Sequence, residues 1–329
     1  MTIGEKALIA QIRHTATRLK NSAIRTGIGD DCAVLRLLSR RSSKDRGSDV
    51  LVTTDLSLEE IHFRLQWHPP ESIAHRCLAR GLSDIAAMGG EPVAAFLSLA
   101  LPRKTGQSWV DRFVHGLIRL AERYRVTLAG GDTAESPNGI LADIVVVGTA
   151  PAGRAVLRSG ARPGDRIYVS GELGSSAAAI AELRKKPTPK LNTREYPRHF
   201  FPEPRIELGR TLREKGLASA MIDTSDGLST DLAHICEESG VGAELYSGAI
   251  PRASVGKPAR QVDLRFALHG GEDYELLFTA SPKRRVLSRI AGVQITQIGQ
   301  IKRGKQIFLM NPCGAASPLI PQGWEHFRK

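Results

Sequence analysis

Apolar positions along this 329-residue chain fall into short blocks that switch between helical and strand spacing. Residues 4–20 put Leu8, Ile9, Ile12, Ala16 and Leu19 on one helical face. Gly27-Ile-Gly-Asp-Asp is a turn leading into the short strand Ala33-Val-Leu. Val50-Leu-Val-Thr-Thr-Asp predicts a strand with a polar end. Pro69-Pro-Glu opens a helix, because proline suits a first turn, and Gly89-Gly90 stops it. Residues 92–101 predict a buried strand and 108–124 an amphipathic helix. Val126-Thr-Leu-Ala is a short strand ending in Gly130-Gly-Asp-Thr, and 142–148 a strongly apolar strand.

A second unit begins near Pro151. It opens with the strand Ile167-Tyr-Val-Ser, the loop Gly171-Glu-Leu-Gly-Ser-Ser and an alanine-rich helix. A helix follows at about 204–215 and a strand at 218–222, then Asp223-Thr-Ser-Asp-Gly and a helix to about Ser239. Strands are predicted at 241–246, 273–279 and 293–301. The alternation predicts a two-domain α/β (α+β) chain, divided at 1–150 and 151–329. The N-terminal part reads as a mixed sheet with helices, the C-terminal part as an α/β sandwich.

A formal net charge of +12 invites a nucleic-acid partner. Its location argues against one. Residues 36–49 carry five basic against two acidic side chains, and residues 184–198 six against one. These two polar segments hold most of the excess, read as loops, and lack a run of stacking aromatics. The four cysteines, Cys32, Cys77, Cys236 and Cys313, are scattered singly, which predicts neither a disulfide framework nor a zinc site. No apolar run approaches a membrane span, and the N-terminus lacks a signal-peptide layout. The expectation is a cytoplasmic protein.

The aspartates change the picture. Asp30 and Asp31, Asp55, Asp84, Asp132, Asp223 and Asp226 mostly close an apolar strand or begin a glycine turn, where α/β proteins place ligand sites. Gathered together they would repel one another unless cations neutralised them, and hard oxygen donors suit Mg²⁺ with phosphate. Singly, each has a plainer reading. A Gly-Asp is a turn; Asp226 is a helix N-cap; Asp84 pairs with Arg80, four residues before it. Gly171-Glu-Leu-Gly-Ser-Ser reads more as a packing turn than a phosphate loop, and Glu275 as ordinary strand surface. No nucleophile triad stands at familiar spacing.

In order, Gly27-Ile-Gly-Asp-Asp-Cys-Ala, Thr53-Thr-Asp, His62-Phe63, Leu82-Ser-Asp-Ile-Ala-Ala-Met-Gly-Gly and Gly130-Gly-Asp-Thr resemble the thiamine-monophosphate kinase family. So do Gly153-Arg-Ala-Val-Leu-Arg-Ser-Gly-Ala-Arg-Pro-Gly-Asp, Met221-Ile-Asp-Thr-Ser-Asp-Gly-Leu and Gly270-Gly-Glu-Asp-Tyr-Glu-Leu. The aspartate motifs alone are similar to the wider aminoimidazole ribonucleotide synthetase superfamily. The resemblance implies ATP as co-substrate, several Mg²⁺ ions, thiamine monophosphate as acceptor and direct in-line transfer without a phosphoenzyme. It implies a homodimer formed through the N-terminal, ATP- and Mg-binding domain, with the C-terminal domain completing the site. Mg²⁺ would be held by Asp31, Asp55, Asp84, Asp132, Asp223 and Asp226, with the hydroxyls of Thr53 and Thr54. ATP would be touched by Gly131, Asp132, Arg158 and Ser225, and the thiamine substrate by His62, Glu272 and Trp324. Gly81 stands where the family commonly has Asn, which implies a looser contact beside Asp84. The rival readings are a purine-precursor synthetase of the same superfamily and a basic nucleic-acid-binding protein.

Overall fold

The computed structural model describes residues 4–16, 21–36, 47–185 and 192–327. Most of the basic segment 36–49, the core of the segment at 184–198 and the end of the helix expected at 4–20 lie outside the described residues. Helix α1 (Glu5–Ala16) precedes two sheets. The first is built from β1 (Ile24–Thr26), β2 (Ala33–Leu35), β3 (Ser48–Leu58), β4 (Glu91–Leu101), β5 (Thr127–Glu135) and β6 (Leu141–Pro151). Its order is β1-β2-β3-β6-β4-β5, antiparallel throughout except for the parallel β4–β5 pair. Helices α2 (Pro70–Ala87) and α3 (Gln107–Tyr124) cover one face. The alternation along β3 shows the consequence: Leu51 and Thr53 are buried beneath α2, whereas Thr54 and Leu56 are exposed on the opposite face.

The second sheet comprises β7 (Arg166–Ser170), β8 (Ala220–Asp223), β9 (Gly242–Tyr246), β12 (Leu276–Ala280), β14 (Val293–Lys302), β15 (Ile307–Met310) and β16 (Ala316–Pro318). It runs β16-β15-β9-β14-β7-β12-β8, with β13 (Arg289–Ile290) paired to β14; β10 (Ser254–Val255) and β11 (Arg260–Gln261) form a separate ribbon. Around it lie α4 (Ser175–Arg184), α5 (Pro197–Phe200), α6 (Ile206–Glu214), α7 (Leu228–Ser239) and α8 (Leu264–His269).

The two halves share one helix. α2 reads as amphipathic, yet Ile73, Cys77, Leu78, Ala79, Leu82, Ile85 and Ala86 are all fully buried. Its core continues from Ile144 and Val146 of β6 to Leu208 and Leu212 of α6, Met221 of β8 and Phe278 of β12. This double-sided packing brings the end of β8, and so Asp223, alongside Asp84.

Three expectations are corrected here. The Thr53-Thr-Asp and Gly130-Gly-Asp motifs do not end strands: β3 runs on to Leu58 and β5 to Glu135, because pairing with β6 and β4 supplies the ladder that the polar and glycine residues do not favour by themselves. Glu275 is not strand surface. It is 1% exposed, and its carboxylate binds Arg198, Arg205 and Ser170. Gly81 does not loosen its surroundings. A Cβ there would lie 2.6 Å from Val146 Cγ2, so the glycine lets α2 press close onto β6. Gly81→Asn is therefore expected to overpack this contact and cost about 1–3 kcal/mol. A urea midpoint equal to or above the parent's would contradict it.

Candidate active site

The site grows from strand ends and α2. Asp31 follows the β1–β2 turn, Asp55 lies on β3, Asp84 on α2 and Asp223 at the end of β8. Carboxylate oxygens of Asp31, Asp84 and Asp223 lie within 4.8 Å of one another, a spacing that can hold a metal ion. Of the neighbouring pair Asp30 and Asp31, only Asp31 joins this group. Asp30 instead accepts the backbone N–H groups of Asp31 (3.0 Å) and Arg158 (3.2 Å), fixing the loop. Thr53 donates its hydroxyl to Asp84, and Ser83 donates to Asp223 at 2.6 Å.

The electrostatics are those of crowded, buried acids. Burial and Asp31 push Asp223 up to about 8. Burial, then Asp55 and Asp223, push Asp84 well above the carboxylate range. Burial raises Asp31 despite Arg158, whose Nη2 donates to it at 2.5 Å. Oδ2 of Asp31 and Oδ2 of Asp55 are buried without a hydrogen-bond partner. Such hard acceptors, without a partner among the described residues, fit a divalent cation with oxygen preference.

A folded value of about 8 against 3.8 for a free carboxyl means that stability from Asp223 is intact below about pH 4 and lost as pH rises towards 8. A divalent cation bound there would displace those protons and relieve the repulsion. The rise in melting temperature on adding Mg²⁺ should thus be larger at pH 8 than at pH 5.5. Thermal melts with Mg²⁺ and with EDTA check this, and an equal rise at both pH values would contradict it.

From the aspartates a cavity of about 390 Å³ leads away between the two sheets. It is lined by Asp31, Asp55, Asp84, Asp223, Asp226, Arg158 and Ser225 at one end and by His62, Glu272, Trp324 and His326 at the other. Asp226 is not an N-cap: the cap of α7 is Gly227, whose N–H is taken by Asp231 at 2.9 Å. Its backbone oxygen accepts from Trp324 N–H at 3.0 Å, tying the C-terminal segment over the cavity. Burial and Glu5 raise Asp226 to about 6. The Ser225 carbonyl accepts the Glu272 N–H at 2.7 Å, and a Cβ on Gly271 would lie 2.5 Å from that same oxygen. The Gly-Gly of Gly270-Gly-Glu-Asp is thus a close-approach device joining the two loops.

Other sequence-derived residues stand elsewhere. Gly131 and Asp132 are exposed on β5 and do not line the cavity. A Cβ on Gly131 would overlap the Leu97 carbonyl, a packing reason for the glycine. Thr54 lies on the open sheet face and donates to Asp143 at 2.9 Å. Asp143 and Asp132 both stand opposite Ser98 on β4, so Thr54, Asp143 and Asp132 share one polar row there. The Gly171-Glu-Leu-Gly-Ser-Ser loop is a packing turn. Asp273 fills the start of α4 by accepting from Gly174 N–H at 2.6 Å.

Around Glu272 and His62 stand residues that the sequence did not single out. Arg76 donates to Glu272 at 2.5 Å and to the His199 carbonyl. Burial alone would raise Glu272, but the charge and hydrogen bond of Arg76, with Arg80, outweigh it and hold Glu272 at about 2. His199 joins His68 through Nε2 atoms 3.1 Å apart and meets Ser176 at 2.9 Å. Burial depresses both rings, His68 to about 4, so the pair is neutral and shares one hydrogen bond. Burial and Arg80 hold His62 at about 3, and its Nδ1 accepts from Leu58 N–H at 3.0 Å. Glu272 and Tyr274 both have left-handed backbones, at φ 65° and 51°, which is uncommon for side chains of this size. Arg76 and Arg80 carried a signal: they are charges on an otherwise buried helix, at the same spacing as Asp84. His68 and His199 carried none.

Comparison with known proteins now bears on this geometry. Residues 29–150 match the family profile "AIR synthase related protein, N-terminal domain", and 162–310 match its C-terminal domain counterpart. The thiamine-monophosphate kinase of Salmonella typhimurium is 38% identical over 340 residues, covering 99% of each chain. The chain belongs to the thiamine-monophosphate kinase family. The family member from Bacillus subtilis is 34% identical over 95% of this chain and 97% of its own. A solved structure described as AaThiL complexed with AMPPCP and TMP superposes with a TM-score of 0.82 at 32% identity, covering 99% of both chains. Membership accounts for the fold and for the two domains seen as two sheets around α2. Among the described residues, no helix of this family member is long and apolar enough to cross a membrane.

Proposed function

We infer that this chain transfers the γ-phosphoryl group of ATP to the phosphate of thiamine monophosphate, giving thiamine diphosphate and ADP. The observation that carries this is one cavity joining an aspartate cluster to a pocket of Glu272, His62 and Trp324. A relative of the same fold carries AMPPCP, a methylene analogue of ATP, together with TMP. The acceptor explains the residue set. A phosphate monoester has a second pKa near 6, so at pH 7 it is largely a dianion and needs no general base. What the site must supply is position and charge neutralisation, which carboxylates alone cannot.

We assign Mg²⁺ to Asp31, Asp55, Asp84 and Asp223, with Asp226 at the rim and Thr53 orienting Asp84. Bound there, the ions supply Lewis-acid charge stabilisation to phosphate oxygens. Arg158 is released from Asp31 to fork onto ATP phosphate oxygens, beside Ser225. Thr54, Gly131 and Asp132 extend the metal and ATP contacts along the open-face row with Asp143. Glu272, held ionised by Arg76, and His62, kept neutral, receive the thiamine substrate. Trp324 offers a π face to the cationic thiazolium. Leu56, Val93 and Phe96, exposed on the uncovered face of the first sheet at 49%, 49% and 38%, support pairing of that face in a homodimer. The four unpaired cysteines suit the cytoplasm.

The test is an assay with ATP, Mg²⁺ and thiamine monophosphate, with free thiamine as the control acceptor. Thiamine diphosphate and ADP should appear in equal amounts. A folded, metal-loaded protein that makes neither would refute the reading, and sedimentation as a monomer would refute the dimer.

A further inference from the structure

Arg80 stands between the two ends of the cavity. It lies on α2, one turn before Asp84, but does not pair with it. Its Nε reaches towards Asp55 instead, at 3.5 Å, a long ion pair. Nη1 is buried and has no hydrogen-bond partner among the described residues. The side chain lines the cavity, with Asp55 and Asp84 on one side and His62, Glu272 and Tyr274 on the other. A guanidinium carries five donors, and leaving one buried and unused is unfavourable. A void of about 10 Å³ beside Ser57, His62 and Arg76 has room for one water near Arg80, while on the cavity side the guanidinium would draw an anionic oxygen, because Glu272 is already engaged by Arg76.

A phosphate oxygen pair suits this fork. Two phosphates enter such a site, and position separates them. Arg158, paired with Asp31 at 2.5 Å, serves the Asp31 end. Arg80 stands between Asp55 and the residues Glu272 and His62.

We propose that Arg80 binds the acceptor phosphate and sets it in line with the ATP γ-phosphorus; this rests on the kinase reading above. An acceptor oxygen forms its bond to the γ-phosphorus as the bond from that phosphorus to the β–γ bridging oxygen breaks. ADP leaves with the electron pair, and Arg80 stays protonated throughout.

The test compares Arg80→Gln and Arg80→Lys with the parent by calorimetry in Mg²⁺, using thiamine monophosphate, free thiamine and AMPPCP. The parent should favour the monophosphate over free thiamine by about tenfold or more. Arg80→Gln should remove most of that preference and raise KM for thiamine monophosphate about tenfold or more, leaving thiamine and AMPPCP binding within about threefold. Arg80→Lys keeps the charge without the fork and should fall between, which preserves the test if the glutamine variant does not fold. An unchanged preference in either variant would overturn the proposal. So would a loss that falls on AMPPCP or on the Mg²⁺ requirement, since Arg80 would then be only the counter-ion of Asp55. Parent protein that makes no thiamine diphosphate would instead refute the kinase reading, whatever the variants do.

Discussion

Asp223→Asn is expected to lower turnover by about 10²–10³-fold, the scale of losing one preorganised group that stabilises transferred charge. The fold should survive. Asn retains an oxygen that can accept from Ser83, and in the metal-free protein burial and Asp31 already disfavour the charged carboxylate. The substitution therefore removes repulsion, and the melting point in EDTA should be equal to or above the parent's. In Mg²⁺ the order should reverse, because the parent gains more from the ion. Asp55→Asn should behave alike in turnover, since Asp55 lines the same cavity and its buried Oδ2 has no hydrogen-bond partner among the described residues. Turnover within threefold of the parent at saturating Mg²⁺ would remove either residue from the metal site.

Local chemistry made much of this legible. Apolar strands of the expected period ran into Asp-Gly turns, and Asp31 and Asp223 stand where such turns lie. Asp55 was found for a partly wrong reason. Its strand does not stop there, and what turns its carboxylate to the cavity is the alternation along β3 under α2. The same error recurs at Asp132, where the ladder with β4 carries β5 on to Glu135 and places Asp132 on the open face, in the row with Thr54 and Asp143. Propensity cannot register a neighbouring strand's hydrogen bonds.

Long-range packing hid the rest. Glu272 was visible as a turn residue, but its partner Arg76 sits on a distant helix, and His199 reaches it only because α5 packs against α2. Arg80 was visible only as a neighbour of Asp84, which is the pair the structure does not make. The basic segments look different once folded. Arg36 binds Asp49 at 2.6 Å, and Arg198 binds Glu275 at 2.6 Å. Charge that looked free for an external polyanion is partly engaged in holding the fold.

That internal use of charge makes Glu275→Ala the substitution with the largest expected effect on stability. The Glu275 carboxylate receives Arg198 Nη1 at 2.6 Å, Arg205 Nε at 2.7 Å and Ser170 Oγ at 2.5 Å. Glu275 immediately precedes β12, which lies between β7 and β8, and is 1% exposed. Removing the acid strands Arg205, whose side chain is only 16% exposed, without an anion. Breaking a buried pair from one side costs about 3–5 kcal/mol, which predicts a melting midpoint lower by roughly 5–15 °C. Glu275→Gln keeps the volume and one acceptor and should recover part of the loss. The effect should also reach the site. Arg198 lies within α5, next to His199, and Arg205 follows that helix, so losing their shared anchor should loosen His199, and affinity for thiamine monophosphate should fall while AMPPCP binding holds. A midpoint within about 1 °C of the parent's would show that the pair is dispensable. An equal loss of both ligands would show that the damage is global rather than confined to the wall that Glu275 anchors.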